Sequence, residues 1–125
     1  MRVLTVRQPW AWALAAGLKR QEMRSWRVAP GPLLLHAGSS VEPDGLDAVV
    51  QRWGCAPDAA VLAAQRGRLV AVLDVLTGEP PAWDVRVLLV LPLPTAPRLR
   101  GRLGLWRPPA EELSRVQGLL ASSRR

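Results

Sequence analysis

The sequence predicts an α+β protein in which short helices flank a small mixed β-barrel. Apolar runs of strand length are separated by short helical segments, without the regular alternation of strand and helix that builds a doubly wound sheet. A chain of 125 residues is long enough for one domain with a buried core and too short for two. We therefore expect a single domain over residues 1–125, without linkers or internal repeats.

The N-terminal third is predicted to contain three strands and one short helix. Residues 3–6 are rich in β-forming side chains, and Pro9 then opens a helix that Gly17 ends. Residues 22–26 alternate as an extended segment does, and residues 33–38 form an apolar run bounded by turn residues. Such a run is typical of a buried strand.

The rest of the chain is predicted to contain two helices, two long strands, an arginine-bearing strand and a C-terminal helix. They cover residues 43–53, 58–65, 69–76, 85–91, 98–106 and 108–120. Because the first long strand is apolar on both faces except at Asp74, and the second is similar apart from Arg86, we expect both to lie in the centre of the sheet. In the last helix, Leu113, Val116 and Leu120 are expected to face the core.

The charge favours a polyanionic partner. The formal net charge is +7 and the sequence pI is about 11.5. Surplus basic residues neutralise phosphates and release their counterions, so nucleic acid is the first expectation. The alternative is charge that serves only solubility.

Cysteine and histidine each occur once, as Cys55 and His36. One cysteine excludes an intramolecular disulfide and a cysteine-based zinc site, and neither residue can build a metal cluster alone. We expect no cofactor and a reducing, cytoplasmic location. The N-terminus is predicted to be a strand rather than a signal peptide, and no apolar run is long enough to span a membrane.

Lys19 is the most informative basic residue. Sixteen of the seventeen basic residues are arginine, and the chain lacks Phe, Tyr, Ile and Asn, which suggests a genome that replaces Lys by Arg wherever a generic charge suffices. An ammonium is compact and its pKa can fall on burial, whereas a guanidinium stays charged and is a broad planar fork. Lys19 is therefore a site candidate, unless it survived by chance on a solvated turn.

An acid, an ammonium and a guanidinium converge within a few residues around this lysine. Glu22 and Arg24 share one face of the extended segment that follows the Gly17 turn. Together with a tryptophan face for stacking, they supply what a base or nucleotide pocket needs. The alternative is a structural salt bridge, with the tryptophans buried in the core.

Three segments resemble the ASCH domain, a family of the PUA-like superfamily. They are Gln8-Pro9-Trp10 with the Gly-x-Lys-x-x-Glu-x-Arg core at residues 17–24, the run at residues 31–37, and the run at residues 100–106. The resemblance implies a PUA-like β-barrel with a cleft beside the first helix, and a role in binding RNA or other nucleic acid. Some small members are similar to amidohydrolases that deacylate N4-acylated cytidine, and others are associated with RNA cleavage.

The expected function is therefore binding of RNA or of a modified nucleotide, with RNA, DNA and a free nucleoside left undistinguished. The expected ligand-binding residues combine the family motif with an arginine stripe: Gln8, Pro9, Trp10, Lys19, Glu22, Arg24, Trp26, Arg98, Arg100 and Arg102. That stripe is also what an edge strand uses to avoid unwanted pairing. A protein-interaction module is a further alternative.

Whether the chain is an enzyme stays open at this stage. In the amidohydrolase branch the resemblance implies a Lys, a Thr three residues later and a Glu on a later strand. Lys19 matches the first, Glu22 occupies the Thr position, and Asp74 would stand near the third. These three are the catalytic candidates if a reaction occurs, although the hydroxyl is missing. Asp74 is alternatively a partner of an arginine.

Overall fold

The computed structural model describes residues 1–93 and 96–123. Within them six strands and four helices follow one another as β1 Val3–Gln8, α1 Trp10–Ala15, β2 Gln21–Met23, β3 Gly31–Val41, α2 Gly45–Trp53, α3 Ala59–Gln65, β4 Leu69–Thr77, β5 Ala82–Val90, β6 Leu105–Trp106 and α4 Ala110–Ser123. The strands form one curled sheet, a half-barrel, in the order β2-β5-β4-β3-β1-β6. This α+β architecture agrees with the predicted PUA-like fold.

The sheet is mixed. β1 and β3 are parallel, while the other neighbouring strands are antiparallel. The parallel pair places Thr5 directly beside His36. This register brings two polar side chains, 31 positions apart in the sequence, to the same point of the sheet.

Each face of the sheet is covered by a separate apolar cluster. On one face Leu4, Leu35 and Leu73 pack with Leu14 of α1 and with Trp83. On the other face the cluster contains Val3, Leu34, Val72, Trp106 and Val116, the last from α4. Because side chains alternate along a strand, neighbours in sequence belong to opposite clusters.

The helix predictions for the middle of the chain are confirmed. α2 and α3 occupy the predicted segments, and the Asp58 side chain caps α3 by accepting a hydrogen bond from the Val61 amide at 2.9 Å. Such a cap satisfies an amide that the helix itself leaves without a partner. In α4, Val116 is buried and Leu120 packs in the same cluster, as expected, whereas Leu113 is only half-buried and belongs to neither cluster.

Three strand predictions need correction. The extended segment predicted at residues 22–26 ends early, because β2 covers only Gln21–Met23. Residues 98–104 form a loop rather than a strand, and β6 covers only Leu105–Trp106. Gly104 has a φ of +66°, which bends the chain where a strand would continue. β5 is only partly central, because β2 pairs with Ala82–Asp84 alone and Val90 further along is 60% exposed.

The helices of the described segments are all too short or too polar to cross a bilayer.

Candidate functional site

A cavity of about 1000 Å³ opens at one end of the sheet, beside the first turn of α1. Its walls come from β1, the turn after α1, β2, the end of β3 and residues 99–104, with Arg52 contributed by α2. We call residues 99–104 the basic loop, because Arg100 and Arg102 lie in it. The cavity volume lies at the upper end of the range common for small-molecule sites.

The floor of the cavity is an ion-paired cluster of Lys19, Glu22 and Arg24, which we call the floor cluster. Glu22 is 6% exposed, and its two oxygens have different partners. Oε1 accepts from Lys19 Nζ at 3.1 Å, while Oε2 accepts from Arg24 Nε at 3.0 Å and from Arg24 Nη2 at 2.8 Å. The buried carboxylate is thereby neutralised by two cations, as burial of a charge requires.

The backbone around Gly17 positions this cluster. Gly17 has a φ of +77°, and the amides of Leu18 and Lys19 both donate to the carbonyl of Ala13, at 3.0 and 3.1 Å. This closes α1 and turns the chain back toward β2. Lys19 Nζ also donates to the carbonyl of Gln21, so its side chain bridges the turn and the strand.

Positive charge dominates the cavity. Among its described lining residues, six are cationic and one is a carboxylate: Arg7, Lys19, Arg24, Arg52, Arg100 and Arg102 against Glu22. The cations of the floor cluster are already paired with Glu22, and Arg7 pairs with Glu42 at 2.5 Å. No ion pair within the described ranges engages Arg52, Arg100 or Arg102. The loop side of the cavity therefore carries most of the available positive charge.

A directed chain of hydrogen bonds connects the sheet to the basic loop. The indole Nε1 of Trp106 donates to Thr5 Oγ1 at 3.1 Å, and Thr5 Oγ1 lies 3.1 Å from His36 Nδ1. His36 Nε2 lies 2.8 Å from the carbonyl oxygen of Leu99. Since that carbonyl can only accept, Nε2 carries a proton. The pKa of His36 is lowered, so the ring is neutral and its Nδ1 accepts the hydroxyl proton of Thr5. His36 thus holds the start of the basic loop.

His36 is neutral in this arrangement. It is 1% exposed, and the ring of Trp106 packs edge-on against it with centroids 5.5 Å apart. Burial lowers the pKa of His36 below its ordinary value, although the hydrogen bond to Leu99 acts in the opposite direction. A buried neutral imidazole suits a structural connection better than a charged contact with a ligand.

The basic loop rests directly on this chain. A Cβ atom added to Gly101 would lie 2.9 Å from Thr5 Cγ2 and 3.3 Å from His36 Cε1. Glycine therefore permits a close approach that a side chain would prevent. The Leu99 amide also donates to the carbonyl of Gly67 at 2.6 Å, which anchors the loop at a second point.

The cavity also has apolar side chains in its lining, beside the exposed arginines. Trp10 of α1, Met23 of β2 and Leu103 of the basic loop all line it. Met23 is 63% exposed and Leu103 is 99% exposed. The cavity thus combines a paired floor, a cationic side and apolar side chains in contact with solvent.

Six of the predicted ligand-binding residues line this cavity: Trp10, Lys19, Glu22, Arg24, Arg100 and Arg102. Gln8 does not, because its side chain is buried, accepts from the Trp12 amide at 2.9 Å and donates to Gln65 Oε1 at 2.8 Å. Its role here is to join the start of α1 to the end of α3. The sequence placed Gln8 close to the site and could not show which way its amide points.

Three further predicted residues also lie outside the cavity lining. Pro9 is buried at the start of α1. Trp26 packs edge-on against Trp83, with ring centroids 4.8 Å apart. Arg98 donates to the carbonyls of Ala63 and Arg66 at the end of α3. These side chains support neighbouring elements in the structure.

Asp74 is separated from the floor cluster by the sheet. Its neighbours Leu73 and Val75 pack in the cluster beside α1, so the alternation of β4 directs Asp74 to the opposite face. There it is half-buried, and its register partner on β5 is Arg86. The structure therefore does not bring Asp74 to Lys19 and Glu22.

Several lining residues were missed by sequence reasoning: Thr5, Arg7, Met23, Ser39, Ser40, Arg52 and Leu103. The signal for Thr5 was a single hydroxyl within an apolar strand, and the signal for the serines was their position after the buried run that contains His36. Leu103 gave no signal, because a leucine in a predicted strand suggests burial.

The described ranges, 1–93 and 96–123, contain no cluster of three or more His, Cys, Asp or Glu that could hold a metal ion.

Comparison with known proteins gives one assignment. The family model of the ASCH domain matches residues 4–78, which include the floor cluster, Thr5 and His36, while the basic loop lies beyond the matched range. No curated protein matches the chain. The ASCH domain is generally linked to RNA binding. With a match over more than half of its length and a curled α+β sheet of the expected kind, the chain belongs to the ASCH domain family.

Proposed function

We propose that this protein binds RNA in the cavity, with phosphates against the arginines of the basic loop and a base inside. The observation that carries the proposal is the excess of cations over carboxylates on a cavity of about 1000 Å³. Arginine side chains attract phosphate through charge and can bind it in a bidentate manner. The general link between the family and RNA supports the choice of RNA over other polyanions.

The two sides of the cavity have different roles in this proposal. Arg100 and Arg102 are exposed and supply phosphate contacts. Glu22 has both oxygens engaged by Lys19 and Arg24, so it acts by holding these two cations at fixed positions. Trp10 is half-buried on the wall and offers a ring face to a base.

The salt dependence of RNA affinity tests the phosphate contacts. On a single strand, the slope of log affinity against log salt concentration is about 0.7 for each phosphate neutralised. A double variant, Arg100→Ala with Arg102→Ala, should lower the slope by about twice that value. The measurement is a titration of a fluorescent single-stranded RNA at several salt concentrations.

A matched double variant controls for loss of net charge. Arg27→Ala with Arg86→Ala removes the same charge from exposed positions that do not line the cavity. This control should retain the parent slope. If both double variants have the same slope, the basic loop does not contact phosphate and the proposal is wrong.

Hydrolysis is the alternative implied by the amidohydrolase branch of the family. That branch has a Thr where this chain has Glu22, and the distant Asp74 does not complete a triad with Lys19. We therefore rank RNA binding first. Release of cytidine from N4-acetylcytidine by the purified parent protein, abolished by Lys19→Ala, would reverse this order. Shortening of the bound RNA would instead indicate a ribonuclease.

A further inference from the structure

Leu103 is the most exposed large apolar side chain in the described part of the protein, at 99%. Single exposed leucines are common on protein surfaces, so exposure alone means little. Leu103, however, lines the cavity together with Met23 and Trp10 and directly follows Arg102. An exposed apolar side chain that follows two exposed arginines in the cavity lining is suited to contact the face of a base.

The base of the loop is fixed, so Leu103 projects from a defined platform. Leu99 is held through its amide by Gly67 and through its carbonyl by His36. Gly101 sits against Thr5. At the other end the chain enters β6, where Leu105 pairs with Leu4 of β1. The basic loop is therefore anchored to the sheet both before and after Leu103.

We propose that the cavity takes one unpaired, unstacked base and that Leu103 covers its exposed face, in place of the neighbouring base. This inference rests on the proposed RNA binding and narrows its ligand to RNA with an unpaired nucleotide. A base inside a continuous duplex is paired and stacked on both sides, so it must be flipped out at an energetic cost before it can enter a cavity. Apolar side chains inserted beside a base are tolerant of its identity, so the preference is for an unstacked base rather than for a sequence.

Four RNA-binding measurements test the role of Leu103. The parent and Leu103→Ser are each titrated with an eight-nucleotide single strand and with the same sugar-phosphate strand lacking all bases. The two ligands carry equal charge, so only contacts with bases distinguish them. We expect the parent to prefer the strand with bases by about tenfold, and Leu103→Ser to lose most of that preference. The salt slope should stay unchanged, because no cation is removed.

The control variant is Leu88→Ser, which removes a 47% exposed leucine from β5 outside the cavity lining. It should bind both ligands as the parent does. A duplex of the same sequence should bind the parent more weakly than the single strand at equal salt.

The outcomes separate the two proposals. If salt-dependent binding persists but the parent does not distinguish the two strands, or Leu103→Ser weakens binding to both equally, the role of Leu103 is wrong while RNA binding stands. If Arg100 and Arg102 also prove unnecessary for binding, both proposals are wrong. A melting curve of Leu103→Ser that matches the parent excludes misfolding as the cause of any loss.

Discussion

The floor cluster and the basic loop face the same cavity and use charge in opposite ways. In the floor cluster, Lys19 and Arg24 hold Glu22, whose side chain is 8% exposed. In the loop, Arg100 and Arg102 are exposed and make no ion pair within the described residues. The difference indicates that the floor cluster is a fixed part of the cavity wall, whereas the loop presents to the cavity positive charge that is unpaired in the part of the chain that the structure describes.

Removing the acid of the floor cluster should have the largest effect on stability. Glu22→Gln leaves Lys19 and Arg24 without a carboxylate partner in a mostly buried position. Breaking a fully buried pair costs about 3 to 5 kcal/mol. Because these two cations are partly exposed, we expect a loss of about 2 to 3 kcal/mol in the free energy of unfolding, measured with urea.

An exposed ion pair provides the control for this prediction. Glu79 pairs with Arg27 at 2.7 Å, and both side chains are more than half exposed. Glu79→Gln should change stability by less than about 1 kcal/mol. Equal losses of unfolding free energy in the two variants would show that the floor cluster stabilises the fold no more than an exposed ion pair does.

The second prediction asks whether the floor cluster needs lysine. Lys19 Nζ lies between the Gln21 carbonyl and Glu22, and its side chain is 15% exposed. A guanidinium is longer and planar, so Lys19→Arg should displace the group into the cavity. We expect RNA affinity to fall about tenfold, nearly as far as in Lys19→Ala, which corresponds to about 1.4 kcal/mol.

Arg20→Lys is the matched reverse substitution, at the exposed neighbouring position. It should bind RNA as the parent does, and both variants should unfold in one transition like the parent. Normal RNA affinity in Lys19→Arg would mean that this position supplies only positive charge. The floor cluster would then resemble the basic loop in its role.

The short-range part of the site could be predicted from the sequence. Lys19, Glu22 and Arg24 are close in the chain, and the alternation of an extended segment suffices to place Glu22 and Arg24 on one side. Asp74 could not be assigned, because the alternation of β4 shows two faces without showing which one borders the cavity. The proximity of Thr5 and His36 depends on the register of β1 and β3, which no local pattern specifies.

The basic loop was mistaken for a strand because its arginines recur at every second position. That spacing is typical of one strand face, but it also arises by chance in a loop. Gly101 and Gly104 were the contrary signal, since one allows close approach to Thr5 and the other adopts a positive φ. The exposure of Leu103 follows from this bend and was therefore missed with it.

The third prediction, with the smallest effect, concerns His36, which joins the sheet to the basic loop. Burial lowers its pKa in the folded protein, so the unfolded chain binds a proton more readily. Well above pH 6.5 the imidazole is neutral in both states, and its contribution to stability is fully present. As the pH falls from about 7 to 5, the unfolded state gains protons first, and the free energy of unfolding should decrease.

His36→Gln separates this titration from that of other groups. Its amide nitrogen can still donate to the Leu99 carbonyl, but it has no proton to gain in this pH range. Because His36 is the only histidine in the sequence, the variant should lose most of the pH dependence of urea unfolding between pH 7 and pH of about 5. Equal slopes in parent and variant would show that His36 is not held neutral. A neutral His36 that donates to the Leu99 carbonyl would then not explain how the basic loop is attached to the sheet.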